Sequence, residues 1–112
     1  MIYYNNKKFK PIKTSENAET TEETIFEYKQ DGAILSAEYQ GGKILKGHLI
    51  GLVDEKGRIE MRYHQVNTKG ELMTGICSST PEVGADGKIK LYERWEWTSG
   101  AKTKGESVLI EI

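Results

Sequence analysis

The chain has 112 residues, 37% hydrophobic and 29% charged, which predicts one domain over residues 1–112 with a narrow core and too little apolar surface for a layered α/β fold. Sixteen basic residues against seventeen acidic ones leave a formal charge of -1, too weak a field to gather nucleic acid or an anionic membrane surface. No apolar run approaches the roughly 18 residues of a membrane span, the segment Met1 to Asn6 lacks the charged-then-apolar order of a signal peptide, and the single cysteine, Cys77, fits a reducing compartment, so a cytoplasmic location is expected.

From the start of the chain, Lys7, Lys8, Lys10 and Lys13 lead into a polar, aperiodic stretch over 14–23 that reads as a long loop. Strands are expected at about 23–30, 33–39 and 43–53, at 58–66, 71–79 and 88–98, and at 106–112, because apolar residues recur there with the two-residue period of a strand. The punctuation between them is glycine followed two residues later by Ile or Leu: Gly32 and Ile34, Gly42 and Ile44, Gly57 and Ile59, Gly70 and Leu72, Gly87 and Ile89. Asp31-Gly32 and Asp86-Gly87 are preferred hairpin pairs, while Glu55-Lys56-Gly57 and Thr68-Lys69-Gly70 look like short loops whose glycine takes a positive φ. Consecutive strands are therefore expected to pair antiparallel.

The inner faces follow from parity. On 58–66 they are Ile59, Met61 and Tyr63; on 71–79, Leu72, Thr74 and Ile76; on 88–98, Ile89, Leu91, Trp95 and Trp97; on 106–112, Val108, Ile110 and Ile112 share one parity. In 43–53 the apolar residues change parity, and Gly47 and Gly51 point to a bulge or a sharp bend. Nothing in the chain has helical period, so no helix longer than about two turns is expected. An antiparallel meander of about eight strands either exposes two edges or closes, and closure gives an all-β up-and-down barrel just wide enough to be filled by side chains or to hold one small ligand. In architecture such a chain resembles the lipocalin-like and avidin-like barrels.

If Val66 faces Glu71 and Thr80 faces Gly87, then Tyr63, Thr74 and Glu93 share one interior layer, with Gln65 and Trp95 close by. A carboxyl group inside a barrel requires hydrogen-bond donors, and the Tyr63 and Thr74 hydroxyls are the expected ones. Two readings follow: a satisfied polar plug in the core or a Glu near the barrel mouth reaching water, as against a ligand site in which Tyr63, Trp95 and Trp97 form apolar walls while Glu93, Gln65 and Thr74 fix orientation.

Other constellations are poorer. Arg62, His64, Arg94 and Glu96 share the outer parity expected of solvated cross-strand charges. His48 and His64 lie on different strands without Cys, Asp or Glu at metal-ligand spacing, so no metal is expected. Cys77 lies opposite Glu60 in the assumed register, which raises a thiol pKa and disfavours a nucleophile. No phosphate-binding glycine loop and no nucleophile elbow occurs, and neither a catalytic residue nor a cofactor is expected.

Four segments carry a family resemblance: Gly47-His48-Leu49-Ile50-Gly51-Leu52-Val53-Asp54, Met61-Arg62-Tyr63-His64-Gln65-Val66-Asn67, Gly70-Glu71-Leu72-Met73-Thr74-Gly75-Ile76-Cys77 and Glu93-Arg94-Trp95-Glu96-Trp97-Thr98-Ser99-Gly100. Over nearly its whole length the chain resembles a family of small bacterial proteins often labelled N-acetylglutamate synthase. That resemblance implies no catalytic residue that maps onto this chain. Acetyl transfer in the common acetyltransferase fold uses a glycine turn feeding a helix whose N–H groups cradle the pyrophosphate of coenzyme A; the nearest fragment, Gln40-Gly41-Gly42-Lys43, lies between two expected strands. The sequence thus favours a module binding a small, partly apolar molecule, with a protein-interaction or structural domain having a filled core as the alternative and an enzyme third.

Overall fold

The computed structural model describes residues 2–112, and all of its regular structure is β. Eight strands run in chain order: β1 (Lys7–Thr14), β2 (Ile25–Asp31), β3 (Ile34–Gly41), β4 (Ile44–Val53), β5 (Ile59–Asn67), β6 (Leu72–Val83), β7 (Ile89–Trp97) and β8 (Lys104–Glu111). Each pairs antiparallel with the next, and β1 pairs with β8, so the meander closes into a barrel. Among the described residues there is no helix. Closure removes both edges, the outcome expected of a sheet with so few apolar residues to cover them.

β1 is a strand that the lysine-rich start concealed. Its fully buried residues are only Phe9 and Pro11, and a mid-strand proline argues against a strand from sequence alone. Here the register against β8 shifts between Pro11 and Lys13, so the proline sits where the ladder is already broken. The change of parity in β4 has the same origin: a shift between Ile44 and Lys46 lets Ile44, then Gly47, Leu49 and Gly51, all face inward.

The five turn glycines all take positive φ, for example 60° at Gly32 and 76° at Gly70, and Glu55-Lys56-Gly57 and Thr68-Lys69-Gly70 are short loops as expected, but the β2–β3, β5–β6 and β6–β7 turns set registers other than those assumed. Asp31 pairs Ile34, so the β2–β3 turn is Gly32-Ala33, one residue later than the Asp31-Gly32 pair. In the β5–β6 turn the Asn67 side-chain oxygen accepts from both Lys69 N–H (3.0 Å) and Glu71 N–H (2.9 Å). This makes Asn67 the last rung and leaves a three-residue loop, Thr68-Lys69-Gly70, so that Val66 pairs Leu72 and not Glu71. The β6–β7 turn is likewise Ala85-Asp86-Gly87, and Thr80 pairs Tyr92, not Gly87.

A one-residue slip reverses a strand's faces. The inner face of β6 is Met73, Gly75, Cys77 and Ser79, whereas Leu72 is 67% exposed and Thr74 and Ile76 point outward. On β8 the inner residues are Gly105, Ser107, Leu109 and Glu111, and Val108, Ile110 and Ile112 are on the outer parity. Volume explains both. Gly75 pairs Tyr63 on one side and Trp97 on the other, Cys77 lies between Met61 and Trp95, and Gly105 pairs Trp95. A Cβ at Gly75 would collide with the Tyr63 ring, and one at Gly105 with the Trp95 ring. The bore is fixed by the strand number, so rows of large side chains are accommodated only beside rows of small ones. The faces of β5 and β7 are as expected from parity.

The two ends of the barrel differ. At the end holding the β2–β3, β4–β5 and β6–β7 turns, the segment before β1 folds inward: Tyr4 is fully buried, its N–H donates to Gln30 Oε1 (2.8 Å), and its hydroxyl donates to the Gly57 carbonyl (2.5 Å). Tyr4, Phe9 and Tyr28 pack ring against ring, with Phe9 and Tyr28 centroids 4.8 Å apart. This end is filled.

Candidate functional site

The opposite end is covered by residues 15–24, the polar stretch between β1 and β2. Ser15 N–H donates to the Glu106 carbonyl (3.0 Å), Asn17 Nδ2 to Thr103 Oγ1 (3.0 Å), and Thr24 Oγ1 to the Gly41 carbonyl (3.1 Å). Glu19 holds the middle of the loop down, its two oxygens accepting from Gln65 Nε2 (2.7 Å) and Asn67 Nδ2 (2.6 Å) of β5. The loop therefore spans the mouth from β8 to β5.

Beneath it is a cavity of about 50 Å³. Its walls include five aromatic side chains, Phe26, Tyr39, Tyr63, Trp95 and Trp97, and two acidic ones, Glu19 and Glu93; among the described residues no Lys, Arg or His lines it. Phe26 stacks on Tyr39 at 4.5 Å, and Trp97 meets Tyr63 and Trp95 edge-on at 5.5 and 5.8 Å. The rings hold one another in place.

Glu93 is 9% exposed and points inward, as parity predicted. Its row on the sheet is Ser79, Glu93, Ser107, and its donor is Ser79 Oγ, 2.8 Å from Oε2, not the hydroxyls of Tyr63 and Thr74. Among the described residues Oε1 has no partner. Burial, opposed only by that one hydrogen bond, pushes the Glu93 pKa from its ordinary 4.5 up to about 7. Burial also raises the Tyr28, Tyr39 and Tyr63 phenols and the Cys77 thiol, each with a further contribution from the Glu93 charge. These groups remain protonated through neutral pH. Cys77 faces Met61 and Trp95 rather than Glu60, so the expected rise holds with burial as its main cause.

Most other polar atoms in the interior are engaged. Tyr39 donates to Gln65 Oε1 (2.8 Å), Trp95 Nε1 to Ser107 Oγ (2.9 Å), Ser107 Oγ to Thr14 Oγ1 (3.0 Å), and Trp97 Nε1 to the Asn17 carbonyl (3.4 Å). Deeper in the barrel the Tyr28 hydroxyl is buried with no partner among the described residues.

Of the residues singled out from sequence, Tyr63, Gln65, Glu93, Trp95 and Trp97 line this cavity. Thr74 does not. It lies on the outer wall, its Oγ1 2.8 Å from Thr98 Oγ1 and its N–H donating to Ser99 Oγ, because the Asn67 turn sets the register one residue away from the one assumed. Sequence reasoning missed Phe26 and Tyr39, whose alternation within β2 and β3 could have placed them inside, and Glu19, for which an aperiodic loop offers no signal.

An eight-stranded antiparallel meander closed on itself, with an aromatic-walled cavity at one end, is the setting in which a family match becomes informative. The model of the Avidin-like protein family matches residues 2–112. The chain belongs to that family. Comparison with curated proteins and with solved structures gives no match. In this avidin-like barrel Gln40 and Gly41 end β3, Gly42 and Lys43 form the turn, and β4 follows, so no helix N-terminus is presented there to a pyrophosphate. His48 and His64 are cross-strand neighbours on the outer wall, with ring centroids 5.4 Å apart.

Proposed function

We propose that this avidin-like chain is a small-molecule-binding module that takes its ligand through the end covered by residues 15–24. The observation that carries the reading is the asymmetry of the interior: one end is packed solid around Tyr4, Phe9 and Tyr28, while the other keeps a cavity walled by aromatic rings around a buried acid. Apolar walls with few convergent polar groups are the usual composition of a ligand site.

The size of the cavity limits the ligand. Sites for drug-sized molecules occupy roughly 300–1,000 Å³, against about 50 Å³ here. With the loop as it stands, the cavity has room for a few waters or a group of a few heavy atoms. A molecule as large as biotin requires residues 15–24 to move, which breaks the two Glu19 hydrogen bonds.

The chain's two tryptophans are Trp95 and Trp97, and both line the cavity, so intrinsic fluorescence reports its occupancy directly. Native mass spectrometry of the purified protein, followed by fluorescence titration with whatever small molecule it retains, tests the reading. A retained mass whose removal and return shifts the emission supports it. The small cavity also favours a second reading, a protein-interaction or structural domain with an essentially filled core. A protein that carries no small molecule and whose emission is indifferent to a broad panel of small molecules, including biotin, would support that reading instead.

A further inference from the structure

We propose that the cavity under residues 15–24 recognises a small organic cation, the ammonium or guanidinium head of an amine, held between aromatic faces and the Glu93 carboxylate. This rests on the ligand-binding reading above and names the chemical class of the ligand.

The cavity wall is one-sided in its chemistry. It contains five aromatic rings, whose faces carry the negative part of a quadrupole and attract a cation within about 6 Å of the ring centroid. It contains the acids Glu19 and Glu93 and no basic side chain. The indole N–H groups that could have received an anion are already donating, Trp95 to Ser107 and Trp97 to Asn17, and the Gln65 amide gives one of its two N–H groups to Glu19. Glu93 Oε1, an acceptor on a side chain more than nine-tenths buried and lining the cavity, receives no hydrogen bond among the described residues, and the lining hydroxyls of Thr20 and Tyr63 can accept as well as donate.

An acid so placed has either to hold its proton or to find a cation. A guanidinium donates two N–H groups to one carboxyl and stacks its plane on an aromatic ring, and an ammonium does the first as a point charge. Both heads consist of few heavy atoms, in keeping with about 50 Å³. Neutral and anionic molecules of equal size lack the charge that would draw Glu93 into its ionised form.

Binding is therefore linked to the proton on Glu93. When the acid is protonated, uptake of the cation releases that proton to solvent. The groups facing Glu93 are the Ser79 hydroxyl, the Cys77 thiol and the phenols of Tyr28, Tyr39 and Tyr63, with Glu19 across the cavity in its bonds to Gln65 and Asn67. The thiol and phenols stay neutral across the range of interest. With Glu93 titrating at about 7, cation affinity should rise roughly 100-fold between pH 5 and pH 8 and then level off.

The test is a fluorescence and calorimetric titration of the whole chain with methylguanidinium and methylammonium, with N-methylurea as the neutral isostere and acetate as the anion. The expected result is saturable binding of a cation at pH 8, roughly 100-fold weaker at pH 5, and at least about tenfold weaker in Glu93→Gln at pH 8. Thr74→Val, on the outer wall, should bind as the parent does. The pH profile needs no variant, so a poorly folding Glu93→Gln does not blunt the test. If N-methylurea or acetate binds as well as the cations, or affinity is flat with pH, the cation class falls while the ligand site stands. If neither these probes nor biotin alters the emission, even in Glu19→Ala with the loop released, the ligand-binding reading falls with it.

Discussion

Replacing Glu93 by Gln isolates the energetic consequence of an acid inside the barrel. In the folded chain Glu93 titrates at about 7, against an ordinary 4.5. Between those values the folded chain keeps a proton that the unfolded chain has released, so stability falls as pH rises through that window and is level on either side of it. At about 1.4 kcal/mol per pH unit, the gap amounts to about 3 kcal/mol lost by pH 8. Gln keeps the shape and an oxygen for the Ser79 hydroxyl, but has nothing to ionise. Glu93→Gln should therefore match the parent at pH 4.5 and exceed it by about 3 kcal/mol at pH 8. Urea denaturation at pH 4.5, 6, 7 and 8, followed by the emission of the two buried tryptophans, measures the difference directly. Parallel stability curves, or a parent that gains on the variant as pH rises, would refute the reasoning. Either would mean that the carboxylate is held by interactions absent from the described geometry.

Three further changes probe the same interior. Tyr28→Phe removes a buried hydroxyl that has no partner and should raise stability by about 1 kcal/mol in the same denaturation assay; a loss would show that the hydroxyl is bonded after all. Gly75→Ala places a methyl against the Tyr63 ring and 2.7 Å from the Glu96 carbonyl oxygen, and should destabilise by about 1–3 kcal/mol, with no change in midpoint counting against the tight pairing of rings and glycines. Glu19→Ala leaves Gln65 Nε2 without its acceptor and unfastens the loop from β5; acrylamide quenching of the tryptophans should rise at least about twofold for a stability loss near 1–2 kcal/mol, and unchanged quenching would mean that other contacts close the mouth.

The barrel was legible because its signals are local. Turn glycines and a period of two are written in adjacent residues, and the inner faces of β5 and β7 alternate large apolar residues with charged ones, so parity alone places Tyr63, Trp95, Trp97 and the anomalous Glu93 inside. β6 and β8 misled for a physical reason. Hydropathy puts Leu72 and Ile76 inward, but the space there is already taken by Tyr63, Trp95 and Trp97 reaching across from neighbouring strands. Where rings occupy the bore, the inward positions go to Gly75, Cys77, Ser79, Gly105 and Ser107, chosen for volume and not for apolarity, and the larger aliphatic side chains are turned out. The Asn67 turn enforces this choice by moving the register one residue, which also takes Thr74 out of the site. Glu19 was illegible for another reason: its role exists only once a loop 46 and 48 residues distant in sequence from Gln65 and Asn67 has closed over them. The same small residues that hid the inner face also set the chemistry of the cavity. A leucine at position 79 or 107 would fill the row around Glu93, whereas the two serines leave its carboxyl with a single donor and an open side. The acid is thereby kept buried, short of partners and next to aromatic rings, the combination on which the proposed binding and its pH dependence rest.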